Sequence, residues 1–495
     1  MSDPVRLTAR FALPLTAALM LAGCAGPGMP SRPDAGERLL GDLPRMTPPA
    51  SLPVEAGLDI DRWWTLFDDP ALNVLIEQAL ARNADLAVAA ARLREARARF
   101  DEARGAERPA LDLQATSGRA RVSADATGIA GAGPGTGSSH EVALTGRYEI
   151  DLWGRLSSAS EAARLRLASQ DWARASVAWS LTAQVAEAHF MRRALQRQIE
   201  IGQAVQASRA RSAVLRGDEH RAGAASEFEL RRAEAEAAAA AAAVAALQRQ
   251  HWSVLGVLAL LTGEPPAALG DVPSDTTLAL DPGQAFEPRL PQGELAGWLR
   301  RRPDLRQAEA ALAASHADMA AAQAATLPAL RLSGSVGSDV RDLSNLFSGP
   351  GLAWSIAAGL AQSVFDGGRA RARVEQAEAG ADAAQAEYRR SVARALVEVR
   401  EAYAVLDISQ RALAAERQRV AALERASRLA QLGREAGASS QLDVLDAERN
   451  HFQAQLAEVD AYRARLVGQV AVFKALGGGH AGPASTFTAP HTPGE

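Results

Sequence analysis

The sequence predicts an α+β membrane protein built from one unit written twice, each unit holding two β-strands and ending in two long helices. Three observations predict it. Short landmarks recur in the same order at nearly constant spacing along the chain. Four stretches alternate apolar and polar residues, the period-two pattern of a strand with one apolar face. Two long stretches carry no proline and are dense in Ala, Arg, Glu, Leu and Gln, the composition of very long helices.

The chain opens on a targeting segment. Arg6 and Arg10 form a basic region, and residues 11–21 are apolar but too few to span a bilayer. The segment ends in Leu21-Ala22-Gly23-Cys24, which resembles the lipobox of bacterial lipoproteins, where small residues admit the peptidase and the thiol takes a diacylglyceryl group. Cys24 is the single cysteine of 495 residues. A chain stapled by disulfides would carry an even set, so a lone cysteine at the end of an apolar segment points to a covalent lipid. Residues 1–24 are therefore expected to be a lipoprotein signal peptide, with acyl chains on Cys24 as an anchor in outer-membrane lipid and no other cofactor. Ala25 stands where an Asp often marks inner-membrane retention in such lipoproteins, which favours the outer membrane. Residues 25–60, rich in Pro and Gly, are expected to form an extended tether.

The repeat follows. Asn83-Ala84-Asp85-Leu86 reads like Arg302-Pro303-Asp304-Leu305, and Pro109-Ala110-Leu111 like Pro328-Ala329-Leu330, both at an offset of 219. Trp153-Gly154-Arg155 matches Gly367-Gly368-Arg369, and Ala222-Gly223-Ala224-Ala225-Ser226 matches Ala436-Gly437-Ala438-Ser439-Ser440, both at 214. Leu261-Thr262-Gly263 matches Leu476-Gly477-Gly478 at 215. The first copy is placed at 61–263 and the second at 293–479, each reading helix, β-hairpin, long helix, helix. Residues 264–292 join them and hold Pro265, Pro266, Pro273, Pro282, Pro288 and Pro291. Residues 480–495 read as a disordered tail.

The hairpins are placed at 108–152 and 327–365. In 142–152, Val142, Leu144, Tyr148, Ile150 and Leu152 alternate with Ala143, Thr145, Arg147, Glu149 and Asp151. The stretch 352–364 repeats the pattern with Leu352, Trp354, Ile356, Ala358, Leu360 and Val364 on one face. Residues 110–118 and 330–338 alternate more weakly and supply the partners. Gly131, Gly133, Pro134, Gly135 and Gly137 mark a surface loop; as a phosphate cradle they lack a following helix and a Lys-Ser/Thr pair. Strands of about 10 residues suit a tilted transmembrane β-strand. Four strands cannot close a barrel, and at about eight the interior is filled by side chains, so a water-filled pore needs at least three chains. Twelve strands from three chains is the simplest closure.

The long helices are expected from 155 to about 216 and from 369 to about 433, each roughly 90 Å at 1.5 Å per residue. Helices of that length need lateral packing, and Leu165, Trp172, Trp179 and Ala186 supply a heptad spacing. In the last helix Leu442, Leu445, Phe452, Leu456, Val459, Leu466, Val470 and Phe473 follow a three-four spacing. The alanines of 237–243 read as a surface where helices approach closely.

From Trp63-Trp64-Thr65-Leu66-Phe67-Asp68-Asp69-Pro70 to Phe473-Lys474-Ala475-Leu476-Gly477-Gly478-Gly479, and above all in Gly437-Ala438-Ser439-Ser440-Gln441-Leu442-Asp443-Val444-Leu445-Asp446-Ala447-Glu448-Arg449, the chain resembles the TolC/OprM type of outer-membrane efflux proteins. Within it the resemblance is to the NodT-like lipoprotein branch that serves resistance-nodulation-division pumps. It implies a trimeric 12-stranded β-barrel in the outer membrane, continued by a long α-helical barrel through the periplasm and an equatorial belt. It also implies a passive duct that exports drugs or other small molecules, with a periplasmic adaptor (membrane fusion) protein and an inner-membrane RND-type pump as partners. Turns at 220–226 and 434–440 would form the periplasmic tip, with Gly223, Ser226, Gly437 and Ser440 as adaptor contacts; both glycines can take the left-handed backbone a helix reversal needs. Asp443 and Asp446 match the family's constriction, and Glu229 stands at the corresponding place in the first copy. The plainer alternative is that they are helix-start carboxylates facing bulk water. Ser439 departs from the pattern, standing where some relatives carry a basic residue of the closing network.

Other classes fit less well. The net charge of -4 with 23% charged residues leaves no basic footprint for nucleic acid. The 8 histidines do not cluster at ligand spacing, and no Ser/His/Asp or Cys/His set is available, so neither a metal site nor an enzyme is expected. Type I protein secretion or metal-ion export on the same fold stays open. A structural periplasmic coiled-coil protein would account for the heptads but not for the strands. The tripeptide Arg216-Gly217-Asp218 reads as an accident.

Overall fold

The computed structural model describes residues 54–55, 58, 60–122, 135–265, 290–291, 294–347 and 351–478. Cys24, residues 123–134 of the first hairpin loop, most of the join and the tail lie outside them. In chain order the elements are β1 (Val54–Glu55), a 3-10 turn (Trp63–Phe67), α1 (Pro70–Arg82), α2 (Ala84–Gly105), β2 (Ala110–Val122), β3 (Gly135–Ile150), α3 (Arg155–Arg221), α4 (Glu227–Thr262), β4 (Leu290–Pro291), α5 (Leu295–Leu299), α6 (Pro303–Ala324), β5 (Ala329–Val340), a 3-10 turn (Leu343–Asn345), β6 (Leu352–Ala361), α7 (Arg369–Glu435) and α8 (Gln441–Ala475). They fall into two compact units. One gathers Glu95–Ala168 and Glu309–Glu387; the other gathers Ser169–Ala308, Tyr388–Glu495 and the described residues up to Arg94.

The first unit is organised by a four-stranded antiparallel sheet, order β2-β3-β5-β6. Residues directly opposite in such a ladder share a face, so the register sorts the side chains. Leu111, Leu113, Val142, Leu144, Tyr148, Leu332, Val336, Trp354, Ile356 and Leu360 lie on one face. Asp112, Gln114, Thr116, Thr145, Arg147, Glu149, Arg331, Ser333, Ser335 and Ser355 lie on the other. Within one chain much of the apolar face is exposed, Trp354 at 73% and Ile356 at 74%, while Val142 and Tyr148 are half-buried. Among the described residues β2 bonds only β3 and β6 only β5, so both outer edges are open.

The strand limits differ from the expected ones. β3 begins at Gly135, so Gly135 and Gly137 pair with Val122 and Ala120 rather than lying in a loop. There β3 has β2 alone for a neighbour, β5 joining only from His140, and glycine is tolerated in such a ribbon. β3 stops before Leu152 because Asp151 turns the chain into α3, accepting from Leu156 N at 3.1 Å and Ser157 N at 2.8 Å. β6 stops before Val364 as Asp366 does the same for α7, accepting from Gly368 N at 2.9 Å and Ala370 N at 2.7 Å.

The second unit holds the main core. Trp63, Phe67, Leu72, Leu75 and Ile76 pack with Leu181, Val185, Phe190, Leu258, Val459, Leu466, Val470 and Phe473, each such side chain stabilising by about 1.5–3 kcal/mol. Trp63 stacks on Phe473 with ring centroids 5.9 Å apart and planes 12° from parallel. The sequence therefore contains elements beyond the expected pattern: the turn at Trp63–Phe67 and α1 precede α2, and α5 precedes α6. α3 and α7 each run 67 residues, about 100 Å, and end a few residues later than expected. Of the heptad residues Trp179 and Ala186 are buried, while Leu165 and Trp172 are half-buried. Along α8, Val459, Leu466, Val470 and Phe473 are buried but Leu442 is exposed, so packing tightens toward its C-terminal end. Residues 237–243 are half-buried to exposed. The tight approach sits beside them, where a Cβ on Gly202 of α3 would lie 3.1 Å from Val244 of α4. No helix among the described residues is long and apolar enough to cross a membrane.

Candidate functional site

Two helix reversals, between α3 and α4 and between α7 and α8, hold every described residue expected to act at the tip. They are built alike. In the first, Gly223 takes φ 75°, its N–H donating to His220 O at 2.9 Å and that of Ala224 to Glu219 O at 2.7 Å. In the second, Gly437 takes φ 74°, with Gly437 N on Arg434 O at 3.0 Å and Ala438 N on Gly433 O at 2.7 Å. The positive φ explains the glycines, since L side chains pay for that backbone. A Cβ at either position would meet nothing within 4 Å, so both turns are open on their outer side.

Ser226 and Ser440 then start α4 and α8 with reciprocal capping boxes. The Ser226 hydroxyl accepts from Glu229 N at 3.2 Å while Glu229 Oε2 accepts from Ser226 N at 2.9 Å. Ser440 accepts from Asp443 N at 3.2 Å, and Asp443 Oδ2 accepts from Ser440 N at 2.8 Å and from its hydroxyl at 2.7 Å. Glu229 and Asp443 are thus helix-start carboxylates that close a cap. The backbone N–H and hydroxyl of Ser226, with Arg216 and Arg434 nearby, hold the Glu229 carboxyl below its ordinary range. The Ser440 hydroxyl and N–H do the same for Asp443. Asp446 lies one turn on, three residues from Asp443 and on the same side; it pairs with Arg449 and accepts from Asn450 Nδ2 at 3.2 Å. Ser439, at the departure from the expected basic residue, packs its hydroxyl against Gly433.

Sequence reasoning missed the residues that bind the two reversals together. Arg216 Nη2 donates to Gln441 Oε1 at 3.1 Å, so the tripeptide read as an accident contributes a cross-helix contact. Seven residues earlier, buried Arg209 pairs with Glu448 at 3.0 Å, and Gln431 Nε2 donates to the same carboxylate at 2.9 Å. α3 and α7 therefore both hold α8 through Glu448. Arg209 and Arg216 stand two turns apart on one face of α3, but that spacing does not point to Glu448 or Gln441 on another helix.

The description "outer membrane efflux protein" matches this chain twice, at residues 75–264 and 297–478. The chain belongs to the outer membrane efflux protein family. It is an outer-membrane efflux channel. Outer membrane protein OprJ of Pseudomonas aeruginosa is 34% identical over 430 residues, covering 86% of this chain and 87% of OprJ. The solvent efflux pump outer membrane protein SrpC of Pseudomonas putida is 31% identical over 475 residues, covering 94% and 98%. The outer-membrane channel OprN superposes with a TM-score of 0.78 at 31% identity, over 88% of this chain and 98% of that one.

Proposed function

We propose that the chain is the exit duct of a tripartite efflux system, a homotrimer that forms a 12-stranded β-barrel in the outer membrane and a helical barrel in the periplasm. The observation that carries the trimer is the sheet. Four strands with one apolar face, one polar face and two open edges match a barrel wall cut parallel to its strands, through the hydrogen bonds between them, and an even-stranded barrel wide enough to conduct needs several such walls. Tandem duplication is supported by the double family match and by the matched capping boxes.

Cys24 carries the lipid anchor in this reading, with the chain held in the outer membrane. Gly223, Ser226, Gly437 and Ser440 dock a periplasmic adaptor at rigid, outward-open turns. Asp443, Asp446 and Glu229 narrow the periplasmic opening, and an inner-membrane RND-type pump supplies the driving force. The exported molecules are small organic compounds, in keeping with the solvent efflux named for SrpC. Passive transit fits a polar face of Ser, Thr and paired charges such as Asp112 with Arg147.

Thiol crosslinking tests the assembly. Single cysteines scanned along β2, each combined with one at Ser355 of β6, should give a covalent ladder that ends at three chains for at least one pair. A ladder that stops at two, or no crosslink anywhere in the scan, overturns the trimer.

A further inference from the structure

Arg302, at the turn before α6, is fully buried with its guanidinium at the centre of four elements. Nε and Nη2 grip Asp304 at 3.0 and 2.7 Å, Nη2 reaches Glu398 of α7 at 2.6 Å, and Nη1 donates to Ala475 O at the end of α8 at 3.2 Å. The cation also lies 5.0 Å from the ring centroid of Trp179 on α3, and Trp179 Nε1 donates to Lys474 O at 3.0 Å. Nearby, α8 meets α7 almost backbone to backbone: a Cβ on Gly468 would stand 3.3 Å from Leu406 Cα.

The corresponding place in the first half is neutral. Asn83 Nδ2 donates to Leu261 O at the end of α4 at 3.0 Å, beside a more exposed ion pair of Arg82 with Glu264. At the position matching Glu398 stands Gln184, which bonds Ser180 on its own helix at 3.1 Å. Among the described residues at this matching place, Asn83 and Gln184 stand where the second half has Arg302 and Glu398, so a neutral amide replaces the cation and another replaces its carboxylate partner.

We propose that Arg302 is a positioning residue for the second reversal: it fixes the C-terminal end of α8 to α3, α6 and α7, and so sets from the far end where Asp443 and Asp446 stand. The second part rests on reading those carboxylates as a constriction. α8 is 35 residues long, about 50 Å, and a continuous helix passes an axial slip at one end to the other. A charge held by bidentate and charge-assisted bonds resists such a slip where a single neutral amide bond resists less.

Hydrogen exchange of the purified full chain, followed by mass spectrometry, tests the pin. Glu398→Gln leaves Arg302 paired with Asp304 and so does not strand a buried charge; Arg302→Lys keeps the charge and loses the fork. In both, amides at 394–402 and 474–478 should exchange about tenfold to a hundredfold faster, while those at 258–263 keep their rates. Asn83→Ala should do the reverse. In planar bilayers Glu398→Gln should also raise the resting conductance. Unchanged exchange, or equal acceleration of both helix ends, overturns the pin. Faster exchange at normal resting conductance overturns the action at a distance. Failure of the constriction reading is seen separately, as an Asp443→Asn, Asp446→Asn channel whose selectivity matches the unaltered protein.

Discussion

Nε2 of His189 lies 2.7 Å from Oδ2 of Asp69. The imidazole is fully buried on α3, and the other oxygen of Asp69 caps α1 by accepting from Leu72 N at 3.1 Å. One carboxylate thus fastens the start of α1 to the middle of a long helix.

Burial pushes the His189 imidazole below its ordinary value, against the pull of Asp69 and with added repulsion from Arg192 and Arg193. Burial alone would raise Asp69, but its bond from His189 and the nearby positive charge hold it low. Both groups lose stability in acid. As pH falls through 6.5 the unfolded chain takes a proton that the folded imidazole refuses, and below 3.8 Asp69 adds a second loss. His189→Gln keeps a donor for Asp69 and removes the first loss. Thermal unfolding between about pH 7.5 and about pH 5 should show a smaller fall in Tm for the variant than for the parent; equal falls would clear the imidazole of the effect.

The two faces of the sheet should respond oppositely to one charge. Trp354→Arg places a cation on the apolar face, at a cost of about 2–4 kcal/mol near the bilayer midplane. Ser355→Arg, on the polar face, should assemble and change conductance instead. Heat-resistant assembled channel on gels measures the first effect and bilayer recording the second; exchanged phenotypes would mean that the faces are inverted.

At the tips, Ser226→Ala or Ser440→Ala should weaken each cap by about 1 kcal/mol, read as faster amide exchange over the first turn of α4 or α8. Gly223→Trp and Gly437→Trp carry a backbone cost of about 1 kcal/mol yet meet open space, so the assembly should persist while crosslinking to the adaptor falls. Wild-type crosslinking and drug resistance in both would remove the tip as the docking surface.

Because bonds from Ser440 hold the Asp443 carboxyl below its ordinary range, its share of the duct's cation selectivity should survive mild acid. Asp443→Asn with Asp446→Asn should reduce selectivity and weaken block by divalent cations from the periplasmic side. Selectivity ratios measured across a pH series in planar bilayers decide it, and a series identical in variant and parent would return both carboxylates to bulk water.

Cys24→Ser should abolish incorporation of labelled palmitate and leave an unprocessed precursor. Undiminished labelling of the variant would remove the lipid from Cys24.

What was legible in the sequence was periodic or local. Alternation placed β3 and β6, proline-free composition placed α3 and α7, and Gly223 and Gly437 marked the reversals. The pattern Ser226 to Glu229 and Ser440 to Asp443 is itself a capping-box signature, and reading it as such would have given both carboxylates their local partners. Contacts between distant residues left no such trace. Asp69 with His189, Arg209 with Glu448 and Arg302 with Glu398 are joined only by the fold, and no spacing rule links residues on different helices. The burial of Trp63 and Phe67 was hidden for the same reason, since a five-residue turn has too few positions to show a period.

The bare edges of β2 and β6 carry a cost before any channel exists. An unpaired strand edge is a template for whichever strand arrives first, and each newly exported chain offers two, flanked by an uncovered apolar face. Chains in transit are therefore adhesive, and correct partners compete with fibre-like and mismatched pairings at a rate that rises with their concentration. That geometry makes the supply of single chains, rather than the strength of the finished assembly, the vulnerable stage.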